Sequence, residues 1–182
     1  MANEGKEFEQ ELHAEFLQSL HEEKIKTQGE RANYITSKFA FITGLFGLGA
    51  LKIGVIDFSM LLYFIPLVAI GYDLYIRAAD LSIKKMGAFL RSNPQAGTTE
   101  IEQAWEKFAA ENRDKLAQLA TTLFSFIIII GAAVFIFLQQ GSHKPTIFWV
   151  GFLLWFIISL IVNGLLWKSH RDQVKKLDNY RE

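Results

Sequence analysis

Residues 124–138, FSFIIIIGAAVFIFL, and residues 147–167, IFWVGFLLWFIISLIVNGLLW, decide the fold class of this chain. They lie inside two stretches, 117–142 and 145–167, that contain no Asp, Glu, Lys or Arg. A charge-free apolar run of about 20 residues is long enough to cross a bilayer core of roughly 30 Å as a helix. A buried strand would be shorter, and a signal peptide would sit at the start of the chain. The pattern predicts spans at Ala117–Leu138 and Thr146–Trp167, with Gln139–Pro145 between them.

Two further apolar segments precede this pair. Phe39–Leu51 holds 13 residues without charge, about 20 Å of helix, so Tyr34–Ser37 and Lys52–Val55 must complete it. Phe58–Tyr72 is also short unless Asp57 and Asp73 sit at the two interfaces. The expected fold is therefore an all-α integral membrane protein with four transmembrane helices in two hairpins. A re-entrant first hairpin is the alternative. The expected segments are 1–32, an amphipathic helix; 33–76, the first hairpin; 77–116, a helical stalk; 117–167, the second hairpin; and 168–182, a charged tail.

Of the nineteen Lys and Arg residues, all but Lys52 and Lys144 fall in 1–38, 77–115 and 168–181. Positive segments stay on the cytoplasmic side, which predicts a multi-pass inner-membrane protein with both ends and the stalk in the cytosol. Trp149 and Trp167 fall near the ends of the last span, where indoles anchor at the interface, whereas Trp155 is mid-span and calls for packing or lipid contact.

The polar half also reads as helix. Ile76, Ala79, Ile83, Met86 and Leu90 repeat at three- and four-residue steps. Residues 92–97 interrupt them with Pro94 and Gly97, and Thr99 with Glu102 resembles a capping box opening the next helix. Ile101, Trp105, Phe108, Asn112 and Leu116 then continue the spacing. Spans two and three are thus expected to extend as one antiparallel stalk of about 17 residues, or 25 Å, per arm. Ahead of them, Phe8, Leu12, Phe16, Leu17 and Leu20 form an apolar face among many acids. Those Glu residues oppose anionic lipid, so the face is expected to meet the stalk, another subunit or a cytosolic protein.

Chemistry is hard to find. The 182 residues carry equal numbers of acidic and basic side chains, so the broad basic field of a nucleic-acid binder is missing. Without Cys there is no disulfide, thiolate metal site or Cys nucleophile. No phosphate loop, Ser elbow or His-rich metal helix occurs, so no enzyme, cofactor or metal is expected. The run GLFGLG at 44–49 spaces its glycines too closely for a dinucleotide fingerprint. Gly44, Gly47 and Gly49, with Gly131 in the third span, suit close helix packing. His13 and His21 read as solvated helix residues, and His170 as an interfacial one.

Polar residues inside spans are costly and mark function or specific pairing. Lys38, Asp73, Thr121, Thr122, Ser125 and Asn163 all fall in the cytosolic leaflet at comparable depth. They read either as interhelical glue, with Lys38 snorkelling, or as a polar constriction. Lys38 and Asp73 approach the same face from antiparallel neighbours and are expected to pair.

The stretch YDLYIRAADLSIKKMGAFLRSN followed by WEKF resembles a pattern in uncharacterised bacterial four-span proteins. There an Asp closes span two, an Ile-x-x-x-Gly step follows, and Trp-Glu opens the returning stalk. The matching residues are Asp73, Ile83, Gly87, Trp105 and Glu106, over about residues 72–108. The outline also resembles the multi-span membrane effectors of bacterial antiviral defence, which implies membrane permeabilisation on a signal from a sensor. The expected function is an oligomeric, pore-type effector controlled by its cytosolic helices, with Phe8, Leu12, Phe16, Trp105 and Phe108 as contact residues. A membrane scaffold that docks a soluble partner is the alternative.

Overall fold

The computed structural model describes residues 2–53, 56–92, 100–112, 115–140 and 145–178. Five α-helices account for most of them: α1, Ala2–Gly49; α2, Ile65–Ser92; α3, Glu100–Glu111; α4, Lys115–Gln140; and α5, Thr146–Asp178. Between α1 and α2 lie two short antiparallel strands, β1 (Lys52–Ile53) and β2 (Ile56–Asp57), and a 3-10 helix, Phe58–Phe64.

Among the described residues three helical segments, not the four expected, are long and apolar enough to cross a membrane: Phe58–Ser92, Ala120–Gln139 and Thr146–Leu177. By length and composition the chain is a helical membrane protein. The missing fourth is the end of α1. Its charge-free part, Phe39–Gly49, is only about 17 Å of helix, and lengthening it backwards brings in Asn33, Thr36, Ser37 and Lys38. It cannot be lengthened forwards, because α1 stops at Gly49 and β1 follows. The chain is tightly packed at this stop. A Cβ at Gly49 would sit 2.5 Å from Leu62 Cδ2, so only glycine lets the returning 3-10 helix approach there. Asp57 opens that helix by accepting a hydrogen bond from the Ser59 N–H at 2.9 Å.

The chain divides into two compact units. One comprises residues 33–76 and 115–170. Its core is Ile42, Leu62, Ile65, Ala69, Ile128, Ala132, Ala133, Ile136 and Phe152. Mid-span Trp155 belongs to this packing: its Nε1 donates to the Tyr63 carbonyl at 3.2 Å and its ring stacks on Phe152. The opposite faces remain apolar, with Ile127, Val134, Phe137, Leu154, Ile158 and Leu165 all exposed. A helix apolar all round suits a lipid-facing position.

The other unit comprises residues 1–32, 77–114 and 171–182 and holds most of the charge. Here Ala79, Met86, Ala88, Leu90 and Val174 are buried, and Phe16 meets Phe89 edge to face. Two ion pairs join its helices, Lys24 with Glu106 and Arg31 with Asp80, and Lys84 pairs with Asp80 within α2. The expected stalk is altered in its second arm. Rather than running on into span three, α3 ends at Glu111. The Asn112 backbone N–H and its side-chain Nδ2 both donate to the Phe108 carbonyl, at 2.9 and 3.0 Å. An Asn side chain competing for a helix carbonyl is a common way to end a helix. The expected capping box at Thr99 and Glu102 falls outside the described side chains.

Candidate functional site

Lys38, Asp73 and Ser125 come from three different helices and meet inside the apolar unit. Each element delivers its residue by register. On α1, Lys38 lies one turn before Ile42, a core residue. On α2, Asp73 follows Ile65 and Ala69 at four-residue steps, and on α4, Ser125 precedes Ile129 and Ala132 by four and seven. All these positions are buried.

The geometry is a closed network. Lys38 Nζ donates to Asp73 Oδ1 at 2.6 Å and also to Ser125 Oγ. Ser125 Oγ donates to Asp73 Oδ2 at 2.6 Å. The ammonium also lies 5.5 Å from the centre of the Phe124 ring, within cation–π range. Lys38 and Asp73 are each only 2% exposed and Ser125 is fully covered. Burying a lone charge this deeply would cost many kcal/mol, so the two charges are tolerated because each neutralises the other and Ser125 satisfies both. Both carboxylate oxygens are engaged. The network therefore acts as a neutral clamp across three helices. Rather than snorkelling to water, Lys38 is held inside.

The other polar residues of the expected cluster fall differently. Thr122 is buried and Thr121 half-buried on α4. Asn163 on α5 is fully covered, and among the described residues neither its Nδ2 nor its Oδ1 has a hydrogen-bond partner. One turn earlier, the Ser159 hydroxyl donates to the Trp155 carbonyl at 2.7 Å. The four glycines also divide. Gly49 packs against Leu62, and a Cβ at Gly131 would reach Phe46 at 4.0 Å. At Gly44 and Gly47 a Cβ would meet nothing within 4 Å, so these two make no close approach to other described residues.

The residues expected to make contacts lie in the charged unit. Leu12 is 57% exposed and Phe16 50%, and Phe8 lies on α1 with its side chain outside the described residues. On α3 the apolar stripe points outward: Ile101, Trp105 and Phe108 are all exposed, and the last two rings stack at 6.0 Å. What α3 turns inward is Glu106, paired with Lys24. Gly87 makes room for it, since a Cβ there would lie 2.8 Å from Glu106 Oε2. The helix is thus packed by its polar face. Periodicity alone identifies an apolar stripe but not the side on which it will be covered, and Lys24 and Glu106 are 82 residues apart.

His13, read from the sequence as a solvated helix residue, is half-buried in the structure. Its Nε2 is buried without a hydrogen-bond partner, at a groove lined by Leu12, His13, Glu15, Phe16 and Ser19. No short-range signal marks it, because His13 sits among solvated neighbours in sequence. The chain matches no protein-family model, no curated protein and no solved structure.

Proposed function

We propose that this protein is a membrane-anchored docking protein: the apolar unit is the anchor, and the charged unit presents helices to a cytosolic protein. The observation that carries this reading is α3, which spends its polar face on Glu106–Lys24 and leaves Ile101, Trp105 and Phe108 exposed. An exposed apolar patch on a charged unit normally marks an interaction surface. The neutral Lys38–Asp73–Ser125 clamp fits an anchor with one fixed helix arrangement better than it fits an ion path.

In this reading residues 1–32, 77–114 and 171–182 are cytosolic, as the positive charge favours, and the α4–α5 connection is outside. The two ends then share a side, so the β1–β2 turn must reach the far headgroups. With only about 17 Å of apolar helix in α1, the bilayer has to thin around it. A photo-crosslinking residue at Phe16 or Trp105, activated in intact cells, should give discrete adducts with another protein. Adducts with lipid alone, or none at both positions, would refute the docking role.

A second reading is a homo-oligomeric pore-type effector of the bacterial inner membrane. It is favoured by Gly44 and Gly47, which leave one flank of α1 open to close approach by another helix. A monomer by native mass measurement in nanodiscs would exclude it.

A further inference from the structure

The groove on α1 has a composition that selects its occupant. Leu12, Phe16 and Ser19 follow one another at four- and three-residue steps and share a face. With His13 and Glu15 they line an open, shallow groove of about 580 Å³. Leu12 and Phe16 supply an apolar floor that the rest of the unit leaves half uncovered. Along α1 the charge is one-sided: residues 11–23 contain Glu11, Glu15, Glu22 and Glu23 and not one Lys or Arg. Glu15 stands on the groove itself, and His13 Nε2 is buried there without a partner.

We infer that this groove docks a basic amphipathic helix of a partner protein, an inference that rests on the docking role proposed above. The apolar face of such a helix covers Leu12 and Phe16, and its Lys or Arg flanks meet Glu11 and Glu15. A helix laid in a groove is a recurring recognition mode whose anchors repeat at three and four residues. Charge complementarity at the rim selects the partner and speeds encounter more than it adds affinity. The other occupants suit the charge less well. Two copies paired through this face would bring Glu11 and Glu15 of each against the same residues of the other. An anionic leaflet would repel the same four acids.

The test uses the full chain in phosphatidylcholine nanodiscs and two fluorescein-labelled helical peptides with the same Leu/Phe stripe, one flanked by Lys and one by Glu. Binding is read by anisotropy against empty nanodiscs. The Lys-flanked peptide should bind at least tenfold more tightly than its twin, and more weakly as salt is raised. Phe16→Asp should cost at least tenfold. Glu11→Lys with Glu15→Lys, on a solvated helix face, should reverse the peptide preference while helical content is unchanged. Equal binding of the two peptides, an unreversed preference, or no binding above empty discs overturns the basic-helix inference. The docking role itself fails separately, when the crosslinkers at Phe16 and Trp105 find no protein in cells. Disulfide formation between Ser19→Cys copies without peptide would assign the groove to a second copy and also overturn the inference.

Discussion

Removing one end of the buried clamp should cost far more than removing both. In Asp73→Leu, Lys38, which is 2% exposed in the parent protein, loses its carboxylate partner while Ser125 and the Phe124 ring remain beside it. Breaking a buried ion pair in this way typically costs about 3–5 kcal/mol, because the remaining charge is uncompensated. For a chain of this size each kcal/mol moves Tm by about 2–4 °C, so the loss is roughly 6–20 °C. Lys38→Met leaves Asp73 with the Ser125 hydroxyl and should cost a similar amount. In the double variant no charge remains. Ser125 can turn its hydroxyl to the Thr121 carbonyl, which lies 3.3 Å away, so the network leaves no stranded donor. The double variant should therefore lose no more than the milder single one, giving a coupling of about 3 kcal/mol or more. Thermal unfolding in one detergent, followed by tryptophan fluorescence for all four proteins, measures the cycle. Additivity within about 0.5 kcal/mol, as expected of independent sites, would refute the clamp.

Gly49→Ala should lower stability by about 1–3 kcal/mol by overpacking against Leu62, while Gly44→Ala, with nothing within 4 Å, should be nearly neutral; melting temperatures of the two distinguish a packed from an open glycine. Asn163→Leu should raise Tm, because it removes buried amide atoms that have no partner; a fall in Tm would mean that the amide is satisfied by a bound group. A cysteine in place of Lys52 should react with an impermeant thiol reagent from outside intact cells, and failure to react would refute the orientation. The Asp57 carboxyl is held below its ordinary value of 3.8, first by the hydrogen bond from the Ser59 N–H and then by Lys52 nearby. A lowered folded pKa contributes stability that is present above about 3.8 and lost as pH falls through the folded value; Asp57→Asn should therefore melt lower than the parent protein at pH 7 and converge with it in acid.

Membrane association and the all-helical class were legible in the sequence, because both follow from local quantities. A charge-free run such as 145–167 carries its partition energy wherever the chain goes, and the break in apolar content after Trp167 needs no tertiary contact. The polar residues Lys38, Asp73, Ser125 and Asn163 could likewise be singled out by their cost in an apolar layer. What each of them meets was decided elsewhere. That Ser125 closes the Lys38–Asp73 pair while Asn163 has no partner depends on the relative rotation of α4 and α5, which hydropathy does not encode. At Gly49, where α1 ends short of a full span, Leu62 packs too close for a Cβ, a contact that local sequence does not encode. The outward face of α3 has the same kind of origin. Its stripe is plain in the spacing of Ile101, Trp105 and Phe108, but the side on which it packs was set by one distant lysine, Lys24, and by the space left at Gly87. Periodicity states which residues share a face; only long-range partners determine which face is buried.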